Sequence, residues 1–476
     1  MKDLHKFYIN GEWVEPLSRR EMDVINPATE ETIATITMGS SEDVDRAVAA
    51  AKIAFASYCR TTREERLALL EKFLEIYRER YEEMAQAITA EMGAPISMSR
   101  DSQADCGVGH LQGFIDALAA QQQRQTLYNG DTLVREPIGV CGLITPWNWP
   151  MNQVALKVVP ALATGCTCVL KPSEFTPLSA ALYAEMLHDT GFPAGVFNLV
   201  NGDGPTAGAT LSKHADIQMI SFTGSTRAGR AISKDAADTV KRVTLELGGK
   251  SPNLVFADCG PELVTRVTAS VHECFGNTGQ SCDAPTRLLV ERSCYDEVVG
   301  IAKSAGEAQA VGDPAVEGDH IGPLVSDIQF GRVQGHIERA ITEGARLLCG
   351  GPGKPDGFET GYYVKPTIFA DVSNDMAIAR KEVFGPVLAI IPFDTEEEAI
   401  EIANDTPYGL AAYIQTGDAK RAERVAARLR AGAVHINGGG FEYGSPFGGY
   451  KQSGNGREGG AIGLEDYQEV KTLHFG

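Results

Sequence analysis

The sequence has no CxxC pair, no HExxH and no Cys/His spacing of the kind that holds zinc, so neither a zinc module nor a zinc-hydrolase helix has support and no catalytic metal is expected. Ten cysteines are present but scattered, and Cys166 and Cys168 stand too close together to suggest a disulfide framework. A reducing cytoplasm is the expected compartment. Positive charge is scarce as well: 43 Lys and Arg against 63 Asp and Glu leave a formal charge of −20. With no basic cluster to reverse that field locally, phosphate backbones and anionic lipid surfaces are repelled, which argues against nucleic acid and membrane partners. Long apolar runs are missing too. The most apolar stretch, Gly139 to Leu170, is interrupted by Pro146, Pro150, Lys157 and Pro160, a pattern suited to protein core rather than lipid. Met1-Lys2-Asp3-Leu4-His5-Lys6-Phe7 carries charge where an export signal needs an apolar segment. Neither a low-complexity tract nor a repeat interrupts the chain.

What is present is globular in balance, 43% apolar and 22% charged over 476 residues, a length beyond the growth of one hydrophobic core. Two or more domains are expected. Residues 41 to 92 read as two helices, with capping-box starts at Ser40/Asp43 and Thr62/Glu65 and a stop at Gly93 and Pro95. Around Asn129-Gly130, two β-prone runs, Gln125 to Tyr128 and Thr132 to Arg135, predict a hairpin. From Thr167 the pattern alternates: strand Cys168 to Leu170, a helix between Thr176-Pro177 and Gly191, strands Val196 to Val200 and Gln218 to Phe222, a helix from about Thr226, and strand Arg242 to Leu247. That spacing predicts a doubly wound parallel α/β sheet, which binds ligands at the carboxyl ends of its strands. A second α/β alternation, with helices near 261 to 275 and 327 to 343, follows a boundary near 250, and Tyr467 to Leu473 reads as a strand that pairs outside its own domain.

Three local signals carry chemistry. Phe275-Gly276-Asn277-Thr278-Gly279-Gln280-Ser281-Cys282 places a cysteine on a glycine-punctuated loop after a predicted helix, although a lone cysteine is more often inert than nucleophilic. Glu246 ends an apolar strand before Gly248-Gly249, either as a functional carboxylate or as a solvated one beside a tight turn. Pro146-Trp147-Asn148-Trp149-Pro150 fixes an amide between two rings and two prolines, as a rigid donor or a turn residue.

Taken together these stretches resemble the NAD(P)-dependent aldehyde dehydrogenases over essentially the whole chain. The resemblance runs in order through Pro146-Trp147-Asn148, Lys171-Pro172-Ser173-Glu174, Phe222-Thr223-Gly224-Ser225, Glu246-Leu247-Gly248-Gly249-Lys250, Gly279-Gln280-Ser281-Cys282, Glu382-Val383-Phe384-Gly385-Pro386 and Pro446-Phe447-Gly448-Gly449-Tyr450-Lys451. It implies Cys282 as the nucleophile, Asn148 and the Cys282 backbone N–H as oxyanion donors, Glu246 as the base for thioester hydrolysis, and Lys157 with Glu458 as a proton relay, for which a surface ion pair is the competing reading. For the cofactor it implies Trp147, Lys171, Ser173, Glu174, Ser225, Leu247, Glu382 and Phe384. Lys171 and Glu174 would hold the adenosine ribose, Ser225 would meet the pyrophosphate at a helix start, Glu382 the nicotinamide ribose, and Phe384 would pack near the nicotinamide. A carboxylate at Glu174 favours NAD over NADP, because it would repel a 2′-phosphate.

The implied architecture is an NAD-binding domain over 1–124 and 141–249, a catalytic domain over 250–445, and a β arm of hairpin 125–140 and strand 460–476 that builds a homodimer or homotetramer. Trp149, Asp283, Glu442 and Phe447 are assigned to the substrate channel, and Gly448-Gly449 to shaping its entrance. Gly202 to Gly208 looks like a degenerate dinucleotide fingerprint, but Pro205 removes a donor, and it reads as a connecting turn. Asp283 departs from the family, which more often has a small, hydroxyl or amide residue there. Facing the thiol it would raise the Cys282 pKa, so it is expected to turn toward the channel or a basic partner, and Asp283 together with Glu442 is expected to disfavour short anionic aldehydes. Other readings stay open: an acyl transferase to coenzyme A, a cysteine hydrolase with His272 as base, and a structural protein that kept the fold.

Overall fold

A computed structural model describes residues 4–475; Met1 to Asp3, part of the N-terminal reading above, and Gly476, the end of the expected arm, lie outside it. The expected parallel sheet is present as five inner strands in the order Arg242–Glu246, Met219–Thr223, Val140–Ile144, Thr167–Lys171 and Phe197–Leu199, all parallel. In chain order the first strand sits in the middle, so the winding reverses between Val140–Ile144 and Met219–Thr223. That is where an open α/β sheet leaves a crevice at the carboxyl ends. Four of the inner strands are buried along their whole length, as strands covered on both faces are, and Arg242–Glu246 is buried over its last three residues. The second alternation folds into a seven-stranded sheet, parallel except for Arg346–Cys349 at one edge.

Two sequence expectations change. Residues 41 to 92 form three helices, Ser41–Tyr58, Arg63–Glu79 and Tyr81–Met92, with both expected capping boxes in place. The extra break is at Arg80, where neither Gly nor Pro marks it; its guanidinium reaches Glu83 and Glu185 instead. The second correction concerns 446–467, which returns to the first sheet. Gly454–Asn455 pairs antiparallel with Arg242–Glu246, and Leu464 and Tyr467 join the first sheet's core. The arm expected over 460–476 therefore begins only at Gln468–Leu473, which pairs with Thr132–Pro137; Arg124–Thr126 completes that three-stranded sheet.

Gly454 makes the return of the tail feasible. Its φ is 136°, and a Cβ there would stand 1.9 Å from the carbonyl oxygen of Leu245. Only glycine permits that approach. Gly454→Ala is expected to lower stability by about 1–3 kcal/mol, the range for overpacking at a well-packed site, and to cut activity because Glu246 ends the strand it pairs with. Denaturant unfolding and turnover measured on the same preparation check both.

Candidate active site

The carboxyl ends of the sheet supply one wall of a cleft of about 240 Å³: Pro146, Trp147 and Asn148 after one strand, Thr223, Gly224 and Ser225 after the next, and Glu246, Leu247 and Gly248 after the third. Cys282 from the second body faces them, together with Glu382, Val383 and Phe384 and with Gln329, Arg332 and His336 of the helix Asp327–Thr342. Cys282, Asn148 and Glu246, which lie far apart in sequence, thus share one cavity.

The cysteine loop is held by an unusual backbone. After the helix Leu263–Phe275, Asn277 and Thr278 adopt φ of 53° and 58°; Asn tolerates that region, but a β-branched residue there is strained. Side chains hold the strain in place: Asn277 Nδ2 donates to the Asn148 carbonyl at 2.9 Å and Thr278 Oγ1 donates to the Gly322 carbonyl at 3.1 Å. Asn148 Nδ2 in turn donates to the Gln280 carbonyl at 2.9 Å, and Trp149 Nε1 to Ser281 Oγ at 2.9 Å. Gln103 Nε2 donates to the Asn148 carbonyl at 3.0 Å. An amide has two N–H groups, so Asn148, fixed through one of them, keeps the second for a ligand.

The electrostatics favour neutral groups at rest. Burial, then Asp283, Glu382 and Glu246, push the Cys282 thiol well up, with its own backbone N–H opposing. Burial and then Glu458 raise Glu246 well above the usual carboxylate range, opposed by Lys157 and Arg457. Neither Glu246 oxygen has a hydrogen-bond partner among the described residues. Gly448 makes room for that carboxylate, since a Cβ there would lie 2.6 Å from Glu246 Oε1. Of the glycine pair expected to shape the channel entrance, Gly448 therefore stands against Glu246, whereas Gly449 faces Ser453.

Lys157 and Glu458 are 0% and 3% exposed with Nζ and Oε1 2.5 Å apart, and Lys157 also donates to Thr223 Oγ1 at 2.7 Å. The surface-pair reading is thereby overturned: this is a buried pair behind Glu246. Burial is the largest cause raising Glu458, with Lys157 opposing.

The residues assigned to the cofactor divide into two groups. Trp147, Ser225, Leu247, Glu382 and Phe384 line the cleft. Ser225 caps the helix Thr226–Ala237, Trp147 and Phe384 meet edge to face at 5.3 Å, and Glu382 Oε1 accepts the Gly249 N–H at 3.0 Å. Gly248 is required beside it, because a Cβ would stand 2.3 Å from Glu382 Oε2. Burial raises Glu382 to about 7, with the Gly249 N–H and Lys250 opposing. Lys171, Ser173 and Glu174 lie beyond the cleft lining, just after the neighbouring strand Thr167–Lys171. There Lys171 and Glu174 pair at 3.2 Å, and Ser173 Oγ accepts the Phe175 N–H.

The channel residues are more scattered. Trp149 is fixed on Ser281. Phe447 forms a backbone bridge with Glu458 and packs edge to face on Phe441 at 6.2 Å. Glu442 is exposed, and the basic group that opposes the rise of Asp283 is His435. Asp283 is the second cause raising the thiol, so it acts on Cys282 as well as on His435. His272 is exposed on its helix, which leaves the cysteine-hydrolase reading without its base. Residues 204–208, expected to be a connecting turn, instead form a wide helical turn capped by Asp203 that runs directly into the short helix Ala209–Lys213. Gln103, Asn277, Gln329, Arg332 and His336 went unassigned in the sequence; the spacing 329, 332, 336 marks one helix face and was the signal available.

A family model described as the aldehyde dehydrogenase family matches residues 13–473. The chain belongs to that family. Among its relatives, a 3-succinoylsemialdehyde-pyridine dehydrogenase from Pseudomonas sp is 51% identical over 475 residues, covering 99% of each chain. The crystal structure of an aldehyde dehydrogenase from Bartonella henselae superposes with a TM-score of 0.97 at 51% identity, covering 99% of both chains. A cysteine-to-alanine mutant of aldehyde dehydrogenase C from Pseudomonas syringae, in complex with NAD+ and octanal, has a TM-score of 0.97 at 50% identity and covers 99% of this chain and 96% of that one.

Removing one partner from a buried ion pair leaves a charge without compensation, at about 3–5 kcal/mol. Lys157→Met is expected to destabilise the protein by about that much, read as an earlier unfolding midpoint in denaturant.

Proposed function

We propose that this aldehyde dehydrogenase converts its substrate to the acid through a thiohemiacetal and then a thioester on Cys282, with NAD as hydride acceptor. The observation that carries the reading is the presence of a thiol, a fixed amide and a partnerless buried carboxylate around one cavity. The Cys282 sulfur forms a bond to the aldehyde carbon while its proton passes to a base. Asn148 and the Cys282 N–H hold the oxygen that gains charge, as donors already fixed in place. Hydride acceptance is the chemistry that NAD supplies when bound. Water then attacks the thioester carbon, Glu246 takes its proton, and the carbon–sulfur bond breaks to release the acid. Burial gives Glu246 a higher proton affinity than a surface carboxylate has, and the Lys157–Glu458 pair behind it offers the proton a way onward.

The protein fits the dinucleotide. A twelve-residue helix starts at the exposed Ser225, where unpaired N–H groups favour pyrophosphate. Glu382 faces the cleft to accept ribose hydroxyls, and Glu174 near Lys171 would accept the adenosine ribose while repelling a 2′-phosphate, which favours NAD over NADP. The relatives' substrates suggest an aldehyde without a carboxylate. A homodimer or homotetramer is supported by the three-stranded arm, whose outer strands Arg124–Thr126 and Gln468–Leu473 both leave an edge open. A cytoplasmic setting is supported by ten free cysteines. No helix among the described residues is long and apolar enough to cross a membrane.

Glu246→Gln separates the two halves of the reaction. A pre-steady-state burst of NADH is expected to survive while steady turnover collapses, followed by absorbance; unchanged steady turnover would remove Glu246 as the base. Adding coenzyme A and finding acyl-CoA in place of free acid would favour the acyl-transfer reading.

Glu382 gives a pH prediction. With its carboxyl raised to about 7, the form that accepts ribose hydroxyls is populated above that value and lost below it. NAD affinity should therefore weaken by about tenfold from pH ~8 to pH ~6 if only the carboxylate binds. Titration calorimetry should show that slope in the native protein and lose it in Glu382→Gln.

A further inference from the structure

A tetrahedral carbon on Cys282 has four directions, and the cleft uses three of them. One bond runs to sulfur, the oxygen faces the Asn148 amide, and the hydrogen must face the dinucleotide. The aldehyde's own chain is left to leave on the side away from the cofactor cleft. Asp283 follows the nucleophile directly, and it, Tyr413 and His435 lie outside the cleft lining.

These groups form a built wall. Tyr413 Oη donates to the Asp283 backbone carbonyl at 3.2 Å. Tyr413 and His435 are cross-strand neighbours whose rings stack 4.7 Å apart with 17° between their planes. His435 Nδ1 lies 2.8 Å from the Gly439 carbonyl, an acceptor only, so that nitrogen carries the hydrogen and donates. Burial raises the Asp283 carboxyl, with its own N–H and then His435 opposing. Glu273, at the exposed rim, is raised by burial and by Asp283 and lowered by His435. Among the described residues no side chain donates a hydrogen bond to the Asp283 carboxylate, so two acids share one imidazole and the wall stays acidic. Asp283 also directly follows Cys282 in the chain and is the second cause that raises its thiol.

We propose that Asp283, reinforced by Glu273 and moderated by His435, reads the charge on the aldehyde's chain: neutral and cationic aldehydes are admitted, and those with a carboxylate within a few bonds of the carbonyl are turned away. This rests on the thioester reaction proposed above. Like charges several ångströms apart at a partly wet surface repel enough to change a rate constant by about tenfold.

The test assays the full-length protein with NAD against a four-carbon neutral aldehyde, its ω-carboxylated counterpart and an ω-trimethylammonio counterpart of equal length. The carboxylated aldehyde should show a kcat/KM about tenfold or more below the neutral one, and the cationic aldehyde should match or exceed it. Asp283→Asn should raise the carboxylated-to-neutral ratio by roughly threefold or more and lower the cationic-to-neutral ratio, mainly through KM, as expected of a group acting on binding. Glu273→Gln, at the exposed rim, should move both ratios the same way by less, and it carries the test if the first variant does not fold. NADH from the neutral aldehyde with both ratios unchanged in the variants would overturn the charge filter alone. No NADH from any aldehyde would overturn the thioester reading and the filter with it.

Discussion

One asparagine ties the two bodies of this protein together at the point where chemistry is needed. The Asn148 side chain donates to the Gln280 carbonyl, and its backbone carbonyl accepts from Asn277 and Gln103. Asn148 sits on the loop after the central strand of the first sheet, whereas Gln280 and Asn277 belong to the loop that carries Cys282. The interactions that position the amide therefore also position the thiol. They further stabilise the left-handed Asn277-Thr278 pair, which would be costly in isolation and is held because partners on both sides determine it. Each bond contributes on the order of 1 kcal/mol net, but breaking one would leave a buried polar group unpaired and move the donor relative to the sulfur. The amide and the sulfur are aligned by the same few contacts.

Behind that alignment lies a constraint of charge. Burial drives Cys282, Glu246 and Glu382 all toward their neutral forms, because each loses water, and the two carboxyls add to the push on the thiol. The shifts of these three groups therefore all run toward the neutral form. The Lys157–Glu458 pair is the exception, fully buried yet complementary, and its cation opposes the push on Glu246.

Much of this was legible in the sequence, for physical reasons that differ by residue. Ser40/Asp43 and Thr62/Glu65 announce helix starts because a capping box is local: four residues satisfy one another. The inner strands announce themselves because burial on both faces demands continuous apolar runs. Cys282, Glu246 and Asn148 were readable because short motifs in a fixed order are specific. Arg80 was not, since its helix break is set by Glu83 and by Glu185, more than a hundred residues away. Nor was the tail: Gly454 reads as a turn glycine until the strand end it must approach is known. Gly448 was assigned to an entrance for the same reason, its requirement being imposed by Glu246 from another element.

That tail explains why the site is closed on one side. Gly454–Asn455 adds an antiparallel strand beside Arg242–Glu246, and Ser453 continues the seam: its carbonyl accepts the Leu247 N–H, and its hydroxyl donates to the Gly248 carbonyl while accepting the Gly409 N–H. The turn leading out of the base's strand is therefore gripped by a segment two hundred residues further on. The same segment delivers Gly448 against the Glu246 carboxyl and Glu458 against Lys157. A chain that ended its first sheet with its own strands would leave Glu246 at an open edge, hydrated and ionised like any surface carboxylate. By bringing the tail back across that edge, the fold dries the carboxylate and so raises its proton affinity. The basicity of Glu246 is in this sense a property of the topology, set by a distant segment of chain as much as by the residue itself.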